Sequence, residues 1–188
     1  VIHFPDEVIA REDSDVWADF IEGSDAALVS LYSSFVEKLY AYGCHLVKND
    51  EELVRDCIQD IFFELISKRK KISKAISPKF YLYASLRRRI LRQSKRNRLM
   101  LYKGNLNEED GFLIETVESL TFVNSSFTLE QKRIIADACN KLSYRQREAI
   151  VLHFFEDMGY SEIAAIMNLG KVKSARALIY RALSSLLE

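Results

Sequence analysis

The stretch GYSEIAAIMNLGKVKSARALIYRALSSLL, residues 159–187, decides the fold of the C-terminal part of the chain. Two amphipathic segments flank a turn at Asn168 to Gly170, and the small residue Ala164 allows two helices to cross closely. This pattern is typical of a helix-turn-helix, although other helical hairpins share it. Apolar residues on one face of the second helix are predicted to point inward: Val172, Ala175, Leu178, Ile179 and Leu183.

The opposite face of that second helix carries basic and small side chains: Lys171, Lys173, Ser174, Arg176, Ala177 and Arg181. Side chains of this kind bind phosphates and base edges in a major groove. A merely solvated helix face would have the same composition, so this block alone leaves both interpretations open.

The remaining periodic segments also predict helices. Apolar residues recur every three or four positions from Val16 to Tyr42, with a break at 23–25 where Asp25 suits an N-cap. Further helices are predicted after Asn49-Asp50 and from Ser77-Pro78 to Arg98. Another is predicted to follow Leu142-Ser143. The next begins at Tyr160-Ser161 and ends near Gly170, and the last covers 171–187. We therefore predict an all-α protein.

Residues 103–127 interrupt this pattern. They contain two of the six glycines, an acidic cluster and no sustained period, as expected of a linker between domains. The sequence thus predicts two small helical domains, at 1–102 and 128–188, joined by a linker at 103–127.

Charge is strongly segregated, although the formal net charge is zero. Residues 1–64 hold 15 acidic and 4 basic residues, whereas residues 65–107 hold 14 basic residues and no acidic one. Cations bind phosphates and exposed rings stack on unpaired bases, so the basic segment with Phe80, Tyr81 and Tyr83 suits single-stranded nucleic acid. Phe80 and Tyr83 equally suit a hydrophobic core. We call residues 1–64 the acidic front and residues 65–107 the basic middle. In the free chain the acidic front is expected to attract the basic middle.

The motif DCIQDIF, residues 56–62, places Asp56, Gln59 and Asp60 on one polar helix face. No adjacent histidine, cysteine or serine motif supports catalysis there, so a protein-docking surface is the favoured interpretation. Three scattered histidines and three cysteines without a CxxC pair predict buried thiols in a reducing compartment, with no metal and no cofactor. No apolar run approaches the roughly 20 residues of a membrane helix, and a soluble, cytoplasmic protein is expected.

These segments together resemble the sigma-70 family of RNA polymerase sigma factors. The resemblance lies in FIEGSDAAL (20–28), LYAYG (39–43), VRDCIQDIFFEL (54–65), FYLYASLRRRIL (80–91), LSYRQREAIVLHFFEDMGYSEIAAIM (142–167) and KVKSARALIYRAL (171–183). Their order is similar to that of the small extracytoplasmic-function group, which keeps only regions 2 and 4. The amino-acid sequence of these segments is most similar to that of Bacteroidetes-type members. Three positions depart from the usual pattern: Arg88, where many members have Asn, Arg92, where many have an acidic or amide residue, and Ser143, where Pro is usual. The turn before the last helix is also shifted by about one residue from the commonest family spacing.

The resemblance implies a non-enzymatic subunit that binds core RNA polymerase and promoter DNA. It assigns Asp56, Gln59 and Asp60 to the beta-prime clamp helices, 142–162 to the beta flap, and 171–181 to the minus-thirty-five element. It assigns capture of the melted minus-ten element to Lys70, Lys71, Lys79, Tyr81, Arg87, Arg88, Arg89 and Arg92. Members of the family are usually held inactive by an anti-sigma factor, which is a further possible partner.

Two rival hypotheses remain at this point. A helix-turn-helix regulator that acts without core polymerase would explain 142–188, but it leaves the DCIQDIF face and the basic middle without a purpose. A metal-dependent nuclease at the Asp56 and Asp60 carboxylates would need a third ligand that the sequence does not offer.

Overall fold

The computed structural model describes residues 6–47, 50–72, 77–101 and 128–187, and within these ranges its regular structure is entirely helical. The α-helices are α1 (Asp6–Glu22), α2 (Asp25–Leu46), α3 (Glu51–Lys68), α4 (Pro78–Leu101), α5 (Leu129–Asn140), α6 (Tyr144–Ile150), α7 (Tyr160–Ile166) and α8 (Val172–Leu187). The prediction of an all-α chain is confirmed. The predicted linker lies outside the described residues, and none of the described helices is long and apolar enough to cross a membrane.

Short polar residues fix where the helices of the first domain begin. The Asp50 carboxylate accepts a hydrogen bond from the Leu53 amide at 3.2 Å, and the Ser77 hydroxyl accepts one from the Phe80 amide at 3.3 Å, both as predicted. The expected N-cap at Asp25 is wrong by one residue. Gly23 ends α1 with a φ of 118°, which leaves Ser24 extended, and its hydroxyl accepts the hydrogen bond of the Ala27 amide.

Helices α1 to α4 form the first domain around a core of large apolar side chains, among them Trp17, Phe20, Leu31, Leu39, Ile61, Leu65, Leu82, Leu86 and Ile90. Helices α3 and α4 both approach α2 closely at Gly43. A Cβ atom there would lie 2.5 Å from Val54 Cγ1 and 3.2 Å from Ile90 Cδ1. Glycine at this position therefore sets how closely α3 and α4 pack on α2.

Helices α5 to α8 form the second domain, and the buried Arg147 side chain joins two of them. Its guanidinium donates hydrogen bonds to the carbonyls of Cys139, Asn140 and Leu142 at 3.0, 3.0 and 2.8 Å. These carbonyls belong to the end of α5 and the following turn, where backbone acceptors lack helical partners. Arg147 thus caps α5 from α6.

The turn between α7 and α8 differs from the prediction in two details. Asn168 adopts a left-handed φ of 54°, and the Leu169 amide donates to the Ala164 carbonyl at 2.8 Å, which is the Schellman pattern of a helix end. Consequently α7 ends at Ile166 and not near Gly170. Val172, predicted to point inward, is 46% exposed because it is the first residue of α8 and lies beyond the contact with α7.

The buried face of α8 consists of Ala175, Ile179 and Ala182, with Leu178 and Leu183 only partly buried. Two of the three cysteines, Cys57 and Cys139, are buried as expected, whereas Cys44 is partly exposed. Burial raises the pKa of the Cys57 thiol to about 11, so this side chain stays a neutral part of the core.

Candidate nucleic-acid interface

An exposed basic stripe runs along α4. Arg88, Arg92, Lys95 and Arg96 are all exposed, and their spacing of three and four residues places them on one side of the helix. Lys70 and Lys71 are also exposed, in the 3₁₀ turn Arg69–Lys71 that follows α3. We call Arg88, Arg92, Lys95 and Arg96 the basic stripe. Arg88 also lines the cleft between α4 and the end of α7.

Three other cations predicted to bind DNA are instead paired with carboxylates. Arg89 donates to Asp60 at 2.9 Å and to Glu64 at 2.5 Å, which ties α4 to α3. Glu64 also pairs with Lys68, and Lys68 together with Arg89 lowers the pKa of the Glu64 carboxyl. Arg87 and Lys79 pair with Glu148 and Glu156 of the second domain.

The aromatic residues of α4 divide between core and surface. Tyr83 is fully buried, and its ring centroid lies 5.0 Å from that of Tyr42, so the hypothesis that it belongs to the core is confirmed. Phe80 is partly buried and packs against the core. Tyr81 is also partly buried, with its ring 5.8 Å from that of Trp17, and it lies seven residues before Arg88. It is the aromatic residue of α4 that extends the basic stripe toward the N-terminus of the helix.

Asp56, Gln59 and Asp60 are all exposed on α3, as their spacing predicts. An apolar groove between α2 and α3 adjoins this face and is lined by Tyr32, Val36, Tyr40, Ile58, Phe62 and Phe63, with Gln59 at its border. Tyr32 and Phe63 remain largely exposed. Sequence reasoning missed the groove, although consecutive phenylalanines on a one-sided helix require that one of them face outward.

The residues predicted for duplex DNA lie together on α8 and at Lys171, which immediately precedes it. Lys171, Lys173, Arg176, Ala177 and Arg181 are exposed and Ser174 is partly exposed. The Arg176 guanidinium carbon lies 5.1 Å above the centre of the Tyr160 ring, a cation–π distance. Tyr160 is stacked on His153 in turn, with 4.8 Å between ring centroids. Tyr160 therefore positions Arg176, a role that the sequence pattern did not reveal.

The two domains are in contact, with α4 packed against α7. Glu148 lies in this contact, 1% exposed. Its carboxylate accepts a hydrogen bond from the Tyr42 hydroxyl at 2.8 Å and two from Arg87, from Nε at 2.6 Å and from Nη2 at 3.2 Å. Glu156 is 2% exposed and lies 3.3 Å from the Lys79 amine. We call these pairings the interdomain acidic contact.

Sequence reasoning missed Glu148 and Glu156. One sequence feature could have revealed them: Glu148 and Glu156 flank the mostly apolar run 149–155. Helical periodicity places both carboxylates at positions where an amphipathic helix usually has core residues. The expected attraction between acidic front and basic middle is present within the first domain, since Arg89 pairs with Asp60 and Glu64. The acids that reach α4 from outside that domain are Glu148 of α6 and Glu156, which ends the π-helical segment Val151–Phe155 that continues α6.

No cluster of three or more potential metal-ligating side chains occurs among the described residues.

Two family models match the chain: "Sigma-70 region 2" over residues 31–99 and "Sigma-70, region 4" over residues 132–186. Together they cover about two thirds of the sequence, and each lies within one of the two helical domains. No curated protein matches the chain, and the expected likeness to Bacteroidetes-type members stays a prediction.

Among solved structures, the chain is similar to CnrH in a complex with the cytosolic domain of CnrY. The TM-score is 0.56 at 20% identity, over 93% of this chain and 94% of that one. It is also similar to the sigma factor RpoE of Bartonella quintana, solved with the anti-sigma factor NepR, with a TM-score of 0.55 at 20% identity over 89% and 94% of the two chains. At this identity the likeness establishes the fold, and it extends over both domains.

Proposed function

The chain belongs to the sigma-70 family and is a promoter-specificity factor of transcription initiation, and on this premise we propose that it acts as an alternative sigma factor of the extracytoplasmic-function type. It binds core RNA polymerase, directs it to promoters with a minus-ten and a minus-thirty-five element, and stabilises the opened strand. The observation that carries this proposal is the presence in one chain of region 2, with an exposed basic stripe, and of region 4, with an exposed basic helix α8.

The first domain is proposed to capture the melted minus-ten strand on α4. Arg88 and Arg92 of the basic stripe lie on the same side of the helix as Tyr81, so phosphates and unstacked bases find cations and a ring on one surface. Lys70 and Lys71 add charge at the adjacent turn. Arg89 supports this surface indirectly, because its pairing with Asp60 and Glu64 fixes α4 on α3.

The polymerase contact is proposed for the face of Asp56, Gln59 and Asp60, opposite the beta-prime clamp helices. Asp56 and Gln59 are exposed, and Asp60 keeps about half of its side chain exposed at 48% while paired with Arg89. A face of carboxylates and an amide suits a partner surface with basic side chains. The adjoining apolar groove would give such an interface its hydrophobic part.

The second domain is proposed to bind the minus-thirty-five element through α8, with the residues of 142–162 that remain exposed meeting the beta flap. Arg176, which Tyr160 positions, is proposed to contact a base edge. Lys171 and Lys173 lie at the N-terminal end of α8 and are proposed to bind phosphates of the DNA backbone. We also propose that the chain is controlled by an anti-sigma factor, since the solved structures of CnrH and RpoE contain such a partner or a cytosolic partner domain.

The test is in vitro transcription with purified core polymerase on a library of genomic promoter fragments. The wild-type chain should give promoter-specific initiation, and Asp56→Asn/Gln59→Ala should reduce core binding by about tenfold or more. Asp137→Asn, a matched exposed carboxylate on α5, should leave core binding unchanged. Absence of specific initiation on every fragment, together with normal folding, would refute the proposal.

The rival hypothesis of a regulator that works without core polymerase explains only the second domain. It gives no role to region 2, which matches residues 31–99. Duplex binding at full affinity together with no association with core polymerase would favour that rival. Sigma factors are non-enzymatic, and we propose no catalytic role for the Asp56 and Asp60 carboxylates.

A further inference from the structure

We propose that His153 is a positioning residue for duplex recognition: it holds the ring of Tyr160 in the place from which that ring orients Arg176 toward a base edge. His153 lies in the π-helical segment Val151–Phe155, which continues α6, and it is partly buried. The inference rests on the proposed function only in naming Arg176 as a base-contacting residue of α8. The packing of the three side chains belongs to the free chain and can be measured without polymerase.

The π-helical segment sets the direction of the His153 side chain. The Glu156 amide donates a hydrogen bond to the Val151 carbonyl at 3.0 Å, whereas an α-helix would join residues four apart. The extra residue in this turn displaces the side chains around the helix axis relative to a continuous α-helix, a distortion that is frequent at functional sites. His153 is the middle residue of the segment. Its ring is stacked on that of Tyr160, the first residue of α7.

The turn between the π-helical segment and α7 is closed by both backbone groups of Met158. Its amide donates to the Leu152 carbonyl at 2.9 Å, and its carbonyl accepts a hydrogen bond from His153 Nδ1, also at 2.9 Å. A carbonyl oxygen only accepts, so Nδ1 carries the hydrogen. The preceding residue, Asp157, adopts a left-handed φ of 48°, and the Met158 side chain is buried. The His153 side chain is therefore attached to the turn that leads into α7.

Two contacts fix Tyr160 at the start of α7. Glu162 Oε2 accepts a hydrogen bond from the Gly159 amide at 2.9 Å, which caps the helix and determines where its first residue lies. The His153 and Tyr160 rings are stacked, with an interplanar angle of 29° and 4.8 Å between centroids. Stacking at this distance favours the rotamer that keeps the two rings together. The cap thus sets the backbone position of Tyr160, and His153 sets the orientation of its ring.

Arg176 takes its orientation from this ring. Its guanidinium carbon lies 5.1 Å from the centre of the Tyr160 ring, although the residue is exposed on α8. Arg181 of the same helix, by contrast, donates to the carbonyl of Ala177 at 3.2 Å, a contact within α8. An exposed arginine loses rotamer freedom when it binds a base edge, and a side chain that is already oriented loses less. The orientation of Arg176 therefore depends on His153 through Tyr160.

The test is a double-mutant cycle on the full chain without polymerase. The probe is a duplex that the wild-type chain enriches from a random-sequence library, and a duplex of unselected sequence measures non-specific binding. In fluorescence anisotropy, His153→Ala should weaken binding to the selected duplex about threefold and leave binding to the unselected duplex unchanged. In an Arg176→Ala background His153→Ala should have no further effect, because the side chain that it positions is absent. In a Lys173→Ala background, which is the matched control, the loss should persist in full.

A spectroscopic measurement on the free chain separates the packing from DNA binding. The ring current of Tyr160 shifts the NMR signals of the Arg176 side-chain protons. His153→Ala should move these signals toward their positions in Tyr160→Leu. His153→Asn, whose amide can donate to the Met158 carbonyl, should move them less and should recover part of the affinity for the selected duplex.

Equal losses with the selected and the unselected duplex, or a loss that persists in the Arg176→Ala background, would show that His153 only stabilises the second domain and would overturn the inference. Unchanged Arg176 signals in His153→Ala, or a wild-type chain that enriches no sequence, would overturn it as well. If His153→Ala does not fold, His153→Phe takes its place in the cycle, because it keeps a stacking ring and lacks the donor to Met158. The proposed function fails separately: a wild-type chain without promoter-specific initiation refutes that function and leaves the NMR result standing.

Discussion

The two helices that carry DNA-binding cations, α4 and α8, differ in how their charges are used in the free chain. On α8 the basic side chains are exposed, and Arg176 is positioned by the neutral ring of Tyr160. On α4 Arg87, Arg89 and Lys79 are each paired with a carboxylate, and Arg87 and Lys79 are paired with one from the other domain. The contrast is that the cations of α8 are exposed, whereas these three cations of α4 are held in ion pairs.

The largest expected effect comes from Gly43→Ala. This substitution tests whether DNA binding by α4 can be abolished while DNA binding by α8 is retained. The added Cβ would lie 2.5 Å from Val54 Cγ1, so α3 must move away from α2, at a cost of about 3 kcal/mol in the free energy of unfolding of the first domain. Chemical denaturation followed by circular dichroism measures this change. Single-stranded DNA binding should fall with it, while binding to duplex DNA persists.

The matched control is Gly159→Ala, because the nearest atom to its added Cβ would be Glu162 Oε2 at 3.6 Å. This ordinary contact distance predicts little change in stability. Equal destabilisation by the two substitutions would show that backbone conformational freedom, and not helix packing at Gly43, is responsible.

The next effect concerns the support of α8. Arg147→Met removes the donor to three backbone carbonyls around the end of α5 and should lower the free energy of unfolding of the second domain by about 2 kcal/mol. Duplex binding should weaken as α8 loses its support. Arg145→Met, an exposed neighbour, is the control, and thermal unfolding is the measurement. No difference between the two variants would contradict the capping role.

Much of this arrangement could be predicted from the sequence because it depends on local signals. Helix starts at Asp50, Ser77 and Ser143 follow from short polar side chains, and the exposed face of α8 follows from helical periodicity. The partners of α4 could not be predicted in this way. Arg87 and Arg88 are adjacent and chemically identical, yet one is paired with Glu148 and the other is exposed, because a contact across 61 residues decides between them.

That difference between neighbouring arginines can be sharpened by substitution. Arg88→Ala/Arg92→Ala removes two exposed cations of the basic stripe and should weaken binding of single-stranded DNA about tenfold, with the slope of log affinity against log salt reduced by about 1.4. Fluorescence anisotropy across a salt series measures both quantities. Stability should be unaffected, since both side chains are exposed.

Arg89→Ala provides the comparison, because it breaks the pairs with Asp60 and Glu64. Its main effect should be a lower free energy of unfolding of the first domain, with a smaller change in the salt slope. If Arg89→Ala reduced the salt slope as much as the double variant without loss of stability, its assignment to DNA binding would be correct and its structural role wrong.

The smallest effect is expected at Tyr160, whose ring lies beneath Arg176. Tyr160→Leu keeps an apolar side chain but removes the π face, and an exposed cation–π contact contributes about 0.5–1 kcal/mol. Affinity for a promoter duplex should therefore fall by about two- to fivefold. Tyr160→Phe retains the ring and should retain wild-type affinity. Fluorescence anisotropy with one promoter duplex measures the affinity of all three proteins, and an equal loss in Tyr160→Leu and Tyr160→Phe would show that the π face does not position Arg176.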